Sequence, residues 1–251
     1  MVRDARELRG AWTTFQRHWY GVPAADLAPY VSGYWAAEWD LRGQEPYRQK
    51  IVPYPTVQLT FRDGDAVVRG PERGHVVRVL EGRGRVFGVT FRPGCFRPFL
   101  GTSVSTITGR ALPASAVFGP GLPPGDQQEV EEFLRARLPA PDPLAGRAAD
   151  IVALVQAEPQ LTRVDELAAR AGMGIRRLQR LFAEYVGLGP KWVIRRYRLH
   201  EVGERLASGV DIDWVRLAGE LGYADQAHFI RDFTAIVGES PTRYAERYPG
   251  R

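Results

Sequence analysis

Two stretches decide the reading of this chain. They are Val164-Asp-Glu-Leu-Ala168-Ala-Arg-Ala-Gly172-Met-Gly-Ile-Arg-Arg-Leu178 and Trp214-Val-Arg-Leu-Ala218-Gly-Glu-Leu-Gly222-Tyr-Ala-Asp225-Gln-Ala-His-Phe229. Each sets a small residue four positions before a glycine and an apolar residue beyond it. Two short helices crossing at a steep angle need these three features. The small residue lets the backbones approach, the glycine takes a positive φ at the turn, and the apolar residue anchors the second helix inward. Ala168, Gly172 and Leu178 fill these roles first, with Phe182 one turn further along the same face. Ala218, Gly222 and Phe229 fill them again, followed by Phe233. The second anchor falls one residue later, so the second turn is longer and Asp225 is placed as an N-cap. One such match is weak. Two, joined by the helix-compatible stretch 191–206, predict a double helix-turn-helix.

The charge distribution agrees. Residues 163–205 hold ten Lys and Arg against five Asp and Glu, which equals the +5 of the whole chain and leaves the rest neutral. A basic segment on a helical pair is the electrostatic footprint of a nucleic-acid partner. Other classes fall away. No apolar run approaches the roughly 18 residues of a membrane helix, so no membrane partner is expected. The opening MVRDARELRGAW mixes charges and lacks an apolar stretch, so no secretory leader is expected. The lone cysteine, Cys95, excludes intrachain disulfides and cysteine-rich zinc sites and fits a cytoplasmic protein. Cys95 is read as a buried structural thiol, with a redox sensor as the rival. Neither a catalytic Ser/His/Asp or Cys/His set nor a phosphate or dinucleotide loop is present, so an enzyme and a cofactor are not expected.

Upstream the pattern differs. Residues 30–39, 75–80 and 85–91 read as strands, and 57–61 and 66–70 as a hairpin turning at Arg62-Asp-Gly-Asp65. Residues 93–101 read as a turn into a short helix, and a helix is expected from Asp126 to Leu138. Pro-Ala-Pro-Asp-Pro at 139–143 reads as a stiff linker. Beyond it the period becomes helical, with Thr162 as a candidate N-cap for the helix after Pro159.

Residues 145–248 resemble the AraC/XylS family of transcription regulators. The resemblance rests on ELAARAGM, LQRLFAEYVGLGPKWVIRRYRL and ELGYADQAHFIRDFTAIVGESPTRY, including Phe229-Ile-Arg-Asp-Phe233 and Gly238-Glu-Ser-Pro241-Thr-Arg-Tyr244. It implies a seven-helix unit in which a linker helix, here 190–208, holds two recognition helices on one DNA face. Matching its base-reading positions are Arg176, Gln179 and Arg180 in the first copy and Gln226, His228 and Arg231 in the second. Arg177, Lys191, Arg195 and Arg196 are read as phosphate contacts, which position without specifying. The partners implied are double-stranded DNA and RNA polymerase, with a homodimer as the common state. Gly174 stands where the family has a serine or threonine cap.

The first half resembles a domain found ahead of such units in actinobacterial regulators, through Trp35 and Trp39, Ile51-Val-Pro-Tyr-Pro-Thr-Val57, and Val86-Phe-Gly-Val-Thr-Phe-Arg-Pro-Gly94. The expected fold is therefore α+β: a β-rich, cupin-like sensor or dimerisation domain at 1–138, a linker at 139–143, and an all-α DNA-binding domain at 144–251. His18 and His75 are too few for a cupin metal set, so no metal is expected. Trp35, Trp39, Tyr54, His75, Phe87 and Arg92 are candidates for an effector pocket. The rival readings are a first half that dimerises without binding a ligand, and a cupin-like enzyme with a helical appendage.

Overall fold

A computed structural model describes residues 16–207 and 212–246. The stretch read for a leader, and Ser208 at the expected end of the linker helix, lie outside the described residues. Eight strands come first: β1 (Gln16–Gly21), β2 (Val31–Asp40), β3 (Tyr47–Ile51), β4 (Gln58–Arg62), β5 (Asp65–Arg69), β6 (Val76–Leu80), β7 (Arg83–Phe91) and β8 (Ala111–Pro113). Six of them form one antiparallel sheet in the order β1-β2-β7-β4-β5-β8, and β3 pairs with β6 as a second sheet. The β4–β5 hairpin turns at Asp63 and Gly64, both at positive φ (54° and 83°), as a two-residue primed turn requires.

The large sheet has two unlike faces because side chains alternate along each strand. Tyr34, Leu59, Phe61, Phe87, Val89 and Phe91 point to one face. There they bury against Phe96, Phe118, Val130, Phe133 and Leu134. These come from the chain around helices α1 (Arg97–Leu100), α2 (Ser115–Phe118) and α3 (Gln127–Arg135). Asp126 caps α3 by accepting from the Glu129 amide at 3.0 Å. The other face looks toward the β3–β6 sheet, with a cavity between them.

Seven helices follow among the described residues: α4 (Pro143–Ala157), α5 (Val164–Arg170), α6 (Ile175–Tyr185), α7 (Pro190–Ala207), α8 (Trp214–Glu220), α9 (Gln226–Val237) and α10 (Pro241–Ala245). The chain is thus a β-rich region followed by a helical one. The two copies read from sequence are α5–α6 and α8–α9. Gly172 and Gly222 both adopt the left-handed conformation, with φ of 62° and 70°. In each copy the glycine amide bonds three residues back, to Ala169 or Gly219, and the next amide bonds five back, to Ala168 or Ala218. This is the Schellman closure that ends a helix and turns the chain. The first copy buries Leu167, Ala168, Leu178 and Phe182 in one core, and the second buries Leu217, Ala218, Phe229 and Phe233 in another.

Two local expectations are corrected. Thr162 does not cap α5; Arg163 occupies the N-cap position and makes no side-chain cap bond. The 139–143 segment is not a plain spacer. Pro143 starts α4, and Asp142 caps it by accepting from the Leu144 amide at 2.9 Å. Asp142 also accepts from the Tyr185 hydroxyl at 2.9 Å and lies 3.7 Å from Arg97, so the segment is tied to both regions.

Candidate nucleic-acid interface and effector cavity

Helix α6 is strongly amphipathic. Leu178, Leu181, Phe182 and Tyr185 are buried, whereas Arg176, Arg177, Gln179 and Arg180 are exposed on the opposite side. Among the described residues, Arg176, Arg177 and Arg180 form no ion pair. The N-terminal half of a recognition helix is the part that meets base edges, and these four side chains lie on that half. The C-terminal end is held from behind: Ser103 Oγ donates to the Ala183 carbonyl at 3.1 Å, and Arg97 Nε to Glu184 Oε1 at 2.7 Å.

Helix α9 is built alike but capped better. Asp225 accepts from the His228 amide at 2.6 Å, whereas Gly174 offers α6 no side-chain cap. Gln226, Ala227, His228, Ile230 and Arg231 are exposed, above a core of Phe229 and Phe233. The His228 ring meets Tyr223 edge-on, and its Nε2 is 3.9 Å from Asp232.

The four phosphate candidates divide. Arg177 and Lys191 are exposed. Arg195 is half-buried and ion-paired with Asp232. Arg196 is 3% exposed, and its guanidinium points away from the solvent face. It donates to the carbonyls of Pro53 and Val52, at 2.8 and 2.9 Å, and lies over the Tyr54 ring at 4.4 Å. In this arrangement Arg196 is a docking residue between the two regions, so its reading as a phosphate contact is corrected. The sequence carried no sign of this, because α7 alternates its cations between faces that only tertiary packing tells apart.

The cavity between the sheets measures about 180 Å³. Its floor is β2, where Trp35, Ala37 and Trp39 share a face. The two indoles lie against glycines of the neighbouring strand. Trp35 pairs with Gly88 and Trp39 with Gly84, and a Cβ on either glycine would fall 2.3 Å from the facing ring. The spacing of Trp35 and Trp39 is thus matched four residues apart on β7, and the indoles can rest on backbone. Val86 and Leu80 extend the apolar part. Toward β4 and β5 the lining turns polar, through Gln58, Thr60 and Arg69, with Arg78 of β6 and Glu72 nearby.

Of the six pocket candidates, Trp35 and Trp39 line this cavity. The other four do not. Phe87 faces the opposite side of the sheet, in the helix-covered core. Tyr54 faces α7, with its hydroxyl 3.1 Å from His200 Nδ1. His75 is exposed, and its ring lies over Gly238, whose added Cβ would come within 2.2 Å. Arg92 sits beside Cys95, outside the cavity. Cys95 itself is 3% exposed, and burial pushes its thiol pKa up, which agrees with a structural thiol. The residues missed were Arg69 and Arg78. Each stands in a short strand with its side chain directed inward by the period-two pattern, but β3, the strand that roofs the site, was not recognised in Tyr47-Arg-Gln-Lys-Ile51 because two of its residues are charged.

The segment 49–54 touches both halves of the molecule. Gln49, Ile51 and Pro53 line the cavity. Between them, Lys50 Nζ lies 3.0 Å from Glu239, Val52 is buried in the core of the second helix-turn-helix with Leu199 and Phe233, and Tyr54 meets His200.

Among the described residues no helix is long and apolar enough to cross a membrane. Residues 167–247 match the model of a helix-turn-helix domain, and residues 21–113 match a family described as a domain of unknown function, DUF6597. No curated relative matches. Solved structures that are similar include ToxT from Vibrio cholerae in three forms. An apo lysine-to-alanine variant from strain SCE256 is 12% identical, with TM-score 0.44, covering 86% of this chain and 97% of that one. ToxT from strain O395 is 9% identical, with TM-score 0.42, covering 94% and 98%. The O395 protein bound to (E)-4-(8-methylnaphthalen-1-yl)but-3-enoic acid is 10% identical, with TM-score 0.44, covering 93% and 98%.

Proposed function

We propose, from the premise that the C-terminal region is a helix-turn-helix domain of the AraC type, that this DNA-binding transcription regulator is controlled by a small molecule held between the two sheets. Arg176, Gln179 and Arg180 of α6 and Gln226, His228 and Arg231 of α9 read bases, while Arg177 and Lys191 hold phosphates. Arginine pairs two-pronged with guanine and glutamine with adenine, so the first helix carries the stronger reading set. The domain boundaries follow the same division: residues 1–138 sense and residues 144–251 bind DNA. RNA polymerase and a second copy of the chain are the further partners, and the cytoplasm is the place of action.

The observation that carries the control is the two-faced segment 49–54. A ligand contacting Gln49, Ile51 and Pro53 bears on the same backbone whose alternate side chains, Lys50, Val52 and Tyr54, engage α7, α9 and the turn before α10. A ligand can shift an equilibrium only by its differential affinity for two states, and this strand is where such a difference would be felt.

A second reading, a first half that only pairs two copies, is favoured by Trp19 and Tyr20 of the sheet-edge strand β1 and Val22 just after it, which are exposed (45%, 44% and 83%). Genome-wide capture of bound DNA, followed by footprinting of the strongest fragment, tests the whole. Protection of two adjacent major grooves on one face supports the double reading. Filling the cavity with Ala37→Phe then separates the two roles of the first half. A changed operator affinity supports the sensor, and an unchanged affinity with an unchanged mass supports the dimeriser.

A further inference from the structure

We propose that the cavity takes a small organic acid, a single carboxylate on a flat one-ring body, with the carboxylate held by Arg69 and Arg78. This rests on the sensor reading above and names its ligand class.

Size comes first. An apolar cavity of roughly 150 Å³ is enough for benzene, so about 180 Å³ holds one ring and a small substituent. Shape follows from the floor. Trp35 and Trp39 rest on the backbone of Gly88 and Gly84, and Ala37 between them is the smallest side chain of the three. This leaves a slot over Ala37 walled by two indoles, suited to a ring that can stack or meet an edge.

Charge decides the rest. Arg62 is stacked over Trp39 at 5.0 Å and ion-paired with Asp63 at 3.0 Å, so it already has an acid of its own. Arg69 and Arg78 are different. Both are half-buried, and among the described residues neither closes an ion pair. Arg69 donates to Thr60 Oγ1 at 3.3 Å, and among the described residues Glu72 is the one acid whose charge reaches both guanidiniums. Burial pulls both pKa values down, and for Arg69 the charges of Arg78 and, more weakly, Arg62 add to the effect. Among the described residues, two half-buried cations against one acid leave one positive charge beside an apolar slot. Such a charge costs free energy until it is paired. One carboxylate balances it, and its planar oxygens suit a guanidinium fork. A cationic ligand would meet repulsion. A neutral ligand would fill the slot and leave the charge unpaired, and a phosphate would exceed it.

Calorimetric titration of the full chain with phenylacetate, phenylacetamide, phenethylamine and phenyl phosphate tests the class. The acid should bind at least about tenfold more tightly than the amide, which is the smallest preference expected of one charge-assisted contact. Arg69→Gln or Arg78→Gln should bring acid and amide within about twofold of each other, because only the charge-dependent contact is removed. If a glutamine variant melts early, the lysine variants replace it. They keep the charge, lose the fork, and should retain only part of the preference. An amide or amine that binds as tightly as the acid, a phosphate that binds more tightly, or no binding by any of the four overturns the proposal. Operator affinity, measured alongside, separates the two claims. Acid binding without a change at the operator keeps the ligand class and removes the sensor. Amide binding with such a change keeps the sensor and removes the class.

Discussion

Arg196 offers the sharpest test, because sequence and structure assign it opposite jobs. Replacing it by methionine keeps most of the side-chain volume and removes the guanidinium. Two hydrogen bonds from a charged donor, to Val52 and Pro53 carbonyls, are lost. Each contributes about 1.5–3 kcal/mol. Part is returned because a buried charge no longer has to be desolvated. The net loss should be about 2–4 kcal/mol, using the lower part of that range. For a chain of this size that is a fall in melting temperature on the order of 10 °C. DNA binding should respond differently. A residue docked against the β-rich region releases no counterion, so the slope of log K against log salt should be unchanged. Operator affinity should hold or rise as the second helix-turn-helix is released. A phosphate contact would behave in the reverse way. Its loss makes the slope shallower by about 0.9 and leaves the melting temperature almost unmoved. That pair of results would refute the docking assignment.

Other outcomes follow from the same geometry. Arg180→Ala should weaken specific binding by about 1–3 kcal/mol, as loss of a bidentate base contact does, and by more than Arg231→Ala; a gel-shift titration with the order reversed would place the main reading in α9. Gly172→Ala should cost about 1–2 kcal/mol from its left-handed φ alone, while Gly222→Ala should cost more, because its Cβ would also come within 2.9 Å of Thr162 Cγ2. Denaturant titration of the two variants gives the order directly. Asp225→Ala should cost about 1 kcal/mol through the lost N-cap, whereas Gly174→Ser, at a backbone position with open space, should gain a few tenths. Cys95 should resist alkylation in the native chain near neutral pH and react once the chain is unfolded, because burial both shields the thiol and raises its pKa.

The helical region was legible because its constraints are local. A glycine that must take positive φ, a small residue four before it and an anchor beyond it are fixed by one backbone turn, and that turn recurs with the same hydrogen bonds at Gly172 and Gly222. The cavity was half legible for the opposite reason. Trp35 and Trp39 announced themselves as large aromatics, but which face a strand residue joins depends on register with a partner far along the chain. Phe87 sits one residue from Val86, yet Val86 lines the cavity and Phe87 lies in the helix-covered core. Tyr54 and His75 were lost to the contact between the two regions, which no period in the sequence records.

That contact also changes what the basic segment means. Of its ten cations, six are engaged within the molecule. Arg163, Arg170, Arg195 and Arg205 are ion-paired, with Asp165, with Glu158 and Glu166, with Asp232, and with Glu201 and Glu220 respectively. Arg196 and Arg198 donate to backbone carbonyls and lie over the rings of Tyr54 and Tyr223. The remaining four, Arg176, Arg177, Arg180 and Lys191, are exposed and cluster on α6 and the start of α7. A count of charges would predict ten counterions released from this segment, and the packing allows four. At about 0.9 per phosphate, the segment contributes a salt slope no steeper than about −4. The expected result on replacing the four by alanine together is a drop of at least about 2, the share of the phosphate contacts Arg177 and Lys191, and no more than about 4, with little further loss from the other six. A large further loss at constant melting temperature would mean that the chain rearranges on DNA to expose cations that this structure holds inside.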